Sequence, residues 1–246
     1  MPTNHTGPVT GDGISGYVYY DAATKTLTLD NAQLENTEDC AFVNKVIDGI
    51  TIVVKGNCSI TEKNTPYGAI KIISCNTTIK GDGTLTVKGK GTAVDVSVED
   101  ISYQENKLII ENCTLYAIGD KEGLKGRTNS SLVIRNATVH ASGPTDGSVT
   151  EWAKIQLEGC SITAPTGAQV DYTPYGIGQS IVNNEEVVTS EVVITPISNS
   201  ISQPVSTESE TFHEVYTADG KQTKQLQRGL NIVKMSNGTT KKIVRR

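Results

Sequence analysis

A chain of 246 residues is long enough for one large domain, or for one domain and a small module. It carries 27 acidic and 22 basic residues and shows no basic stripe, which argues against nucleic acid as a partner. Only 5% of the residues are aromatic and 23 are glycine, a composition typical of strands and turns. Since no apolar run approaches the roughly 20 residues of a transmembrane helix, we expect no membrane span.

One pattern recurs through the first two thirds of the chain. It is clearest in LIIENCTLYAIG (108–119) and LVIRNATVHASG (132–143), where a turn residue and a small residue separate two apolar pairs. Imperfect repeats of twenty to thirty residues indicate a solenoid, and β-branched alternation within each unit makes its elements strands. The apolar position that anchors the alignment is occupied by Leu34, Ile60, Leu85, Leu115, Val139 and Ile162.

The position three residues before this anchor holds polar turn residues. These residues tolerate left-handed backbone, and their side chains can bond from one rung to the next, so we predict a structural ladder. Asn112 and Asn136 should occupy equivalent turns, with their amides within hydrogen-bond reach. The predicted ladder consists of Asn31, Asn57, Asp82, Asn112 and Asn136, with Gly159 in the last copy.

The position two residues before the anchor is uniformly small. It holds Ala32, Cys58, Gly83, Cys113, Ala137 and Cys160. Small residues are expected where stacked coils bend inward, so we predict that its three cysteines are buried and reduced. Cys40 and Cys75 lie outside this column and are open to pairing.

The period and the two columns resemble right-handed parallel β-helices, the architecture of pectate lyases and many surface adhesins. More narrowly, YYDAATKTLTLDNAQL followed by GITIVVKGNCSIT resembles secreted Bacteroidetes and Firmicutes β-helix proteins described as carbohydrate-binding, over roughly residues 14 to 196. The resemblance implies an all-β fold, with a right-handed parallel β-helix over residues 1–197. It also implies a secreted or outer-surface protein whose partner is a polysaccharide or a host or cell-surface glycan.

The end of the chain changes character. Residues 198–211 are rich in Ser and Thr and are predicted to be a linker. Residues 212–246 resemble the C-terminal sorting module of Bacteroidetes type IX secretion cargo, and the motif positions are occupied by Gly220, Gly229, Gly238 and Lys242. That resemblance implies a small β-sandwich or hairpin module recognised by secretion machinery. The alternative is a β-hairpin appendage with a charged end.

No catalytic residue is predicted. A β-helix hydrolase needs carboxylates within about 5–10 Å of each other, on one face column. The column that can be aligned holds Lys71, Asp95 and Lys125 instead, which indicates a ladder of ion pairs. Scattered histidines and the absence of a CxxC pair predict neither a metal nor a cofactor. Glu99, Asp100 and Glu105 fall in the long interval between the anchors Leu85 and Leu115. A loop there could carry these carboxylates over a neighbouring face, so a polysaccharide lyase or glycoside hydrolase is the alternative function.

Exposed aromatic rings are the usual sugar platforms, and two groups are candidates. Trp152, Tyr172 and Tyr175 lie near the end of the predicted helix, and Tyr17, Tyr19 and Tyr20 lie near its start. Either group could instead cover a terminal rung. The leading prediction is a non-catalytic glycan-binding or adhesin-like protein, and a structural spacer is a further alternative.

Overall fold

The computed structural model describes residues 6–98, 106–127, 129–173, 178–197, 212–235 and 240–245. In these residues the protein is all-β: a β-solenoid of about five turns is followed by separate antiparallel sheets. The chain divides into two compact units, Met1–Ile197 and Ser198–Arg246. The predicted linker 198–211 lies outside the described residues.

The strands are short, as expected for coils that turn three times per rung. In the first unit they are β1 (Gly7–Pro8), β2 (Ile14–Asp21), β3 (Thr26–Asn36), β4 (Phe42–Asn44), β5 (Ile50–Lys55), β6 (Asn57–Glu62), β7 (Ile70–Ile73), β8 (Thr77–Gly81), β9 (Thr84–Gly89), β10 (Thr92–Ser97), β11 (Asn106–Glu111), β12 (Thr114–Gly119), β13 (Glu122–Lys125), β14 (Ser130–Arg135), β15 (Thr138–Ser142), β16 (Gly147–Thr150), β17 (Lys154–Glu158), β18 (Cys160–Ala164), β19 (Gln169–Tyr172), β20 (Gln179–Asn183), β21 (Glu186–Val187) and β22 (Val192–Pro196). In the second unit they are β23 (Phe212–Thr217), β24 (Gln222–Thr223), β25 (Gly229–Met235) and β26 (Thr240–Arg245).

Each coil adds one strand to each of three parallel rows. The first row runs from the first half of β3 through β5, β8, β11, β14 and β17. The second row runs from the second half of β3 through β6, β9, β12 and β15. The third row is β4, β7, β10, β13 and β16. Since side chains alternate along a strand, every second residue of each row fills the interior and the others face outward.

The second row shows where the sequence alignment holds and where it slips. Leu85, Leu115 and Val139 pair with one another in register, and all three are fully buried, as aligned. One step earlier Leu85 pairs with Cys58, not with Ile60, so the aligned anchor at that step is two residues out. The slip arises because Gly56, not Asn57, occupies the turn between β5 and β6.

The corner between the first and second rows requires left-handed backbone. Asn31, Asn112 and Asn136 have φ of 45°, 53° and 45°, and Gly56 and Gly159 adopt 62° and 64° at the same corner. Asn57 instead begins β6 opposite Thr84, and Asp82 is not left-handed because Gly81 (φ 137°) takes the strained position in that coil. The polar column is therefore a series of turns in which glycine substitutes for asparagine, and Asn57 and Asp82 are not equivalent members of it.

Within the described residues, no hydrogen bond joins the side chains of Asn112 and Asn136. Their turns are equivalent, because the strands on both sides pair with one constant offset. At the left-handed corner one bond does join neighbouring coils, from the backbone N–H of Asn57 to Asn31 Oδ1 at 3.2 Å. A longer bonded ladder lies at another corner, before the first row. There Asp48 Oδ1 accepts the backbone N–H of Asn76 at 2.8 Å and its side-chain amide at 2.9 Å. Asn76 Oδ1 in turn accepts the N–H of Lys107 at 3.0 Å.

We expect the left-handed corner to tolerate glycine but not alanine. Asn136→Ala should lower the free energy of unfolding by about 1–2 kcal/mol, because a Cβ without a polar side chain is disfavoured at positive φ. Asn136→Gly should stay within about 0.5 kcal/mol of the wild type, since Gly159 occupies the next turn. Urea unfolding of the two variants measures the difference, and equal losses would contradict the role of backbone conformation.

All five cysteines are buried and free, so Cys40 and Cys75 are not joined. Burial raises the pKa of Cys113 to about 12, where its thiol points to the carbonyl of Ile79. Burial, assisted by the neighbouring charge of Asp39, raises the pKa of Cys40 to about 11. Both shifts keep the thiol protonated, and the thiolate is the reactive form.

Thiol labelling should therefore be slow in the folded protein. With a maleimide at neutral pH we expect Cys58, Cys113 and Cys160 to stay unmodified for hours, whereas denaturant should expose all five thiols. Mass spectrometry after a timed quench measures the extent of labelling. Fast modification of Cys113 in protein that keeps its circular dichroism would show that the column is open to solvent.

The two ends of the solenoid are closed by antiparallel strands. At the start, β2 pairs antiparallel with β3 and places Tyr20, fully buried, over the first coil. At the end, β22 runs antiparallel between β15 and β18. Trp152 is also fully buried there, and its side chain packs against Gly126. Closed ends prevent further parallel stacking at the terminal rungs.

The second unit is a four-stranded antiparallel sheet in the order β24–β23–β25–β26. Gly220 and Gly229 adopt φ of 84° and 102°, which glycine accepts without strain. Lys242 lies on β26 opposite Ile232 of β25. Gly238, the fourth motif residue, lies outside the described residues.

Candidate functional site

The outward side of the second row carries a nearly uncharged, hydroxyl-rich surface on β9, β12 and β15. We call it the hydroxyl face, and it consists of Thr84, Thr86, Thr114, Tyr116, Thr138 and His140. Its residues face outward because they alternate with the buried residues of the same strands. Thr84, Thr114 and Thr138 are direct neighbours across the three strands and form one line along the solenoid.

A shallow cleft adjoins this line at the left-handed corner. Its volume is about 360 Å³. The corner cleft is lined by Asp82, Asn112, Cys113, Thr114, Asn136 and Thr138. The asparagine turns place two side-chain amides beside two hydroxyl groups, so the cleft offers both donors and acceptors of hydrogen bonds.

An aromatic wall stands two residues further along the same strands. The rings of Tyr116 and His140 stack with their centroids 4.5 Å apart and their planes at 14°. Neighbouring strands are about 4.8 Å apart, close to the distance between the ring centroids. The two rings therefore project outward from adjacent strands and face each other. His140 Nδ1 lies 3.0 Å from Glu191 Oε1, which anchors the imidazole from outside the row.

One face of the Tyr116 ring is left beside small side chains. His140 covers the other face, on the β15 side. On the β9 side the next outward residues in register are Thr86 and then Ser59. The wall therefore borders a shelf of hydroxyl groups, with the corner cleft at one side.

Three polar side chains of the corner cleft are not engaged by the protein. In the described part of the chain, the side chains of Asn112, Asn136 and Thr114 make no hydrogen bond to another protein group. Asparagines at other corners do make hydrogen bonds. The side-chain amide of Asn76 donates to Asp48 Oδ1, and that of Asn44 donates to Ile47 O at 3.0 Å. The amides and hydroxyls of the corner cleft are free to bind a ligand at no cost to internal bonding.

The described residues of the aromatic group predicted near the end of the solenoid, Trp152 and Tyr172, do not form a shared exposed platform. Trp152 is fully buried and donates its indole N–H to Leu124 O at 3.3 Å, so the expectation that it forms an exposed platform is wrong. A large apolar ring is needed there to cover the last coil. Tyr172 is 62% exposed on β19, and Tyr175 lies outside the described residues.

The tyrosines near the start of the solenoid point to opposite sides of β2, because side chains alternate along a strand. Tyr17 and Tyr19 stack on the outward side of β2 with centroids 6.1 Å apart, and Tyr17 is 53% exposed. Tyr20 points inward and is fully buried. The covering role therefore belongs to Tyr20, while Tyr17 and Tyr19 form a minor exposed aromatic pair.

The charged column of the third row has the predicted register. Asp95 pairs with Lys71 on one side and with Lys125 on the other. Lys125 bonds the carboxylate of Glu122 and lies 3.7 Å from Glu151. The predicted register is therefore present, but among the described residues no salt bridge joins Asp95 to Lys71 or Lys125, and the ion pairs of this column are those of Lys125 with Glu122 and Glu151. Glu99, Asp100 and Glu105 lie outside the described residues.

Among the described residues, Asp95 is a partly buried carboxylate without such a salt bridge. Its Oδ1 is buried and has no hydrogen-bond partner in the structure. Burial raises the pKa of Asp95, although Arg127, Lys71 and Lys125 pull it down. A carboxylate that is harder to ionise when folded than when unfolded destabilises the fold above its folded pKa.

Replacing Asp95 by asparagine should therefore stabilise the protein at neutral pH. The raised pKa means that the folded state binds the proton more tightly, so ionisation costs stability as the pH rises. We expect Asp95→Asn to raise the melting temperature at pH 7 and to have a smaller effect at pH 3, where both states are protonated. Calorimetry at both pH values tests this, and a gain that is larger at pH 3 would contradict it.

The aromatic wall was missed by sequence reasoning, although its signal was present. Tyr116 and His140 directly follow the aligned anchors Leu115 and Val139, so they share an outward column. Glu191 gave no such signal, because it comes from a segment 51 residues beyond His140.

Comparisons with family models, with curated proteins and with solved structures found no match to this chain. The described residues contain no helix long and apolar enough to cross a membrane. Among these residues, no three His, Cys, Asp or Glu side chains gather in a way that could hold a metal ion.

Proposed function

We propose that this protein binds glycans without cleaving them, and that the hydroxyl face with its corner cleft is the binding surface. The observation that carries the proposal is the set of unengaged amides and hydroxyls beside the Tyr116 ring. Sugars present apolar ring faces and dense hydroxyl groups, so they match an aromatic wall and adjoining donors and acceptors. The solenoid backbone holds these groups in fixed positions, which lowers the entropic cost of binding.

Removing the wall should weaken binding. We expect Tyr116→Ala to lower the affinity for bound oligosaccharides about tenfold, which corresponds to about 1.4 kcal/mol. Tyr116→Leu keeps a large apolar side chain at this outward position but has no aromatic face, so it should show a similar loss in folded protein. Isothermal titration against hexasaccharides identified on a glycan array, with circular dichroism of each variant, makes the measurement.

The corner cleft is tested by variants that keep the backbone. Asn112→Gly preserves the left-handed turn and removes the amide, and Thr114→Val removes a hydroxyl at nearly constant shape. Each should weaken binding about three- to tenfold through one lost hydrogen bond. The matched control is Tyr172→Ala, an exposed aromatic away from the face. Equal binding by all of these variants would place the glycan site elsewhere or remove the function.

A lyase or hydrolase is the alternative function, and a structural spacer is the other. The separation of the described carboxylates in the third row by lysines favours a non-catalytic protein. Reducing-end assays on neutral and uronate-containing polysaccharides distinguish the enzyme, since any cleavage contradicts the binding proposal. A spacer would show neither cleavage nor binding.

We also propose that the second unit is a sorting module for secretion and that the protein is displayed outside the cell. Support comes from its separate antiparallel sheet and from the motif glycines Gly220 and Gly229 at positive φ. In a bacterium with type IX secretion, a reporter fused to residues 198–246 should reach the outer surface. Deletion of residues 240–246 should retain it inside, and unchanged export would contradict the proposal.

A further inference from the structure

We infer that the ligand of the hydroxyl face is an uncharged glycan, and that Asp82 and Glu191 exclude acidic sugars from it. This inference rests on the proposed function and names the class of ligand. It follows from where the charges of the solenoid lie, on and beside the face.

The outward sides of the first and second rows differ sharply in charge. The first row carries an ion ladder along the axis, in which Lys80, Glu111, Arg135 and Glu158 are neighbours in register. Arg135 bonds Glu111 at 3.0 Å and Glu158 at 2.7 Å. The equivalent line of the second row is Thr84, Thr114 and Thr138, which are all neutral. Neutral hydrogen-bonding groups favour neutral hydroxylated ligands over ions.

Two carboxylates flank the neutral surface. Asp82 lines the corner cleft and is exposed, and Glu191 approaches the wall through His140 while its side chain stays 57% exposed. A uronate or sulfate group bound between them would meet like charge from both sides. Like charges facing each other across a binding surface are a means of rejecting wrong partners.

The cations closest to the cleft belong to the first row, where Lys80 neighbours Glu111 in register and Arg135 is paired with both Glu111 and Glu158. On the hydroxyl face itself the nearest lysine is too distant to compensate for Asp82. Lys88 is the charged outward residue of β9, at the end of the strand away from the cleft. It lies four residues beyond Thr84, or about 13 Å along the strand, whereas Asp82 itself lines the cleft. The Debye length at physiological salt is about 8 Å, so the field of Lys88 in the cleft is largely screened and that of Asp82 is not.

The test compares two classes of linear hexasaccharide on the full chain. The neutral probes are hexamers of β-1,4-glucan, β-1,3-glucan, β-1,4-mannan and β-1,4-xylan, and the acidic probes are hexagalacturonate and a hyaluronan hexamer. We expect at least one neutral probe to bind and the acidic probes to bind at least tenfold more weakly at 50 mM salt. The readout is the ratio of the acidic to the neutral dissociation constant.

Charge reversal at the cleft should change that ratio. Asp82→Lys should lower the ratio at least tenfold at 50 mM salt, and the change should shrink at 500 mM salt because it is electrostatic. Lys88→Gln is the matched control, and its ratio should stay within twofold of the wild type. A ratio that is unchanged in folded Asp82→Lys would overturn the inference.

The two hypotheses fail in different ways. If no hexasaccharide of either class binds, or if binding survives Tyr116→Ala, the proposed function or its site is wrong. If an acidic probe binds the wild type as tightly as any neutral probe, and Tyr116→Ala weakens it, the face binds glycans but the assignment to neutral ligands is overturned.

Discussion

Trp152→Ala should destabilise the solenoid by about 3–5 kcal/mol, the loss typical of a fully buried aromatic side chain. The indole fills the end of the helix, packs on Gly126 and donates a hydrogen bond to Leu124 O. Truncation leaves a cavity at the last coil and removes the hydrogen bond of the indole. For a unit of this size the melting temperature should fall by roughly 6–20 °C.

The control for this prediction is Tyr172→Ala. Tyr172 is 62% exposed, so its truncation should change the free energy of unfolding by less than about 0.5 kcal/mol. Circular dichroism follows both transitions, since Trp152 is the only tryptophan and its fluorescence is lost in the variant. A loss below 1 kcal/mol for Trp152→Ala would mean that the end of the solenoid is held closed by other residues.

Glycan affinity separates the two roles that the sequence left open for Trp152. If the indole only covers the last coil, Trp152→Ala assayed well below its melting temperature should bind hexasaccharides as the wild type does. A tenfold loss of affinity in folded variant would instead assign Trp152 to the ligand site.

The coil was predictable because its cause is local and repeated. Buried residues such as Leu115 and Val139 recur at matching offsets, since every rung must fill the same interior. The misalignment at Ile60 has a local cause too. Asn and Gly are interchangeable at a left-handed corner, so the sequence pattern predicts Asn57 at the turn that Gly56 provides.

The candidate site was less predictable because it depends on contacts between coils. The column of Lys71, Asp95 and Lys125 followed from strand alternation alone and is present as aligned. The burial of Trp152 did not follow, because it depends on how β20 and its neighbours fold back over the last coil, where Gln179 bridges to Trp152. No periodic signal exists at an end, where the repeat stops.

The second large effect concerns the third-row ion pair of Lys125 and Glu122. These side chains are 15% and 5% exposed, so the pair is screened little by water. Glu122 also accepts the hydroxyl of Thr92 at 2.7 Å. Removing one partner of a buried pair leaves an uncompensated charge, so Lys125→Met should cost about 3–5 kcal/mol.

We expect the loss of stability on removing the lysine to depend on how buried its ion pair is. A second lysine–glutamate pair, at the surface, tests this. Lys63 and Glu35 form a similar contact at the surface, with side chains 49% and 47% exposed. Lys63→Met should cost less than about 1 kcal/mol, as exposed pairs usually do. Equal losses for the two lysine variants would show that the interior of the third row is as wet as the surface.

The double variant Lys125→Met/Glu122→Gln decides why the lysine matters. If the cost of Lys125→Met is the stranded charge of Glu122, then neutralising Glu122 should restore stability to within about 1–2 kcal/mol of the wild type. Glu151, 3.7 Å from Lys125 and 28% exposed, remains hydrated and adds little to the loss. Urea unfolding of the four proteins in the cycle gives the coupling energy between Lys125 and Glu122. If the double variant is no more stable than Lys125→Met, the stranded charge of Glu122 is not the cause of the loss, and the pair of Lys125 and Glu122 does not stabilise the third row.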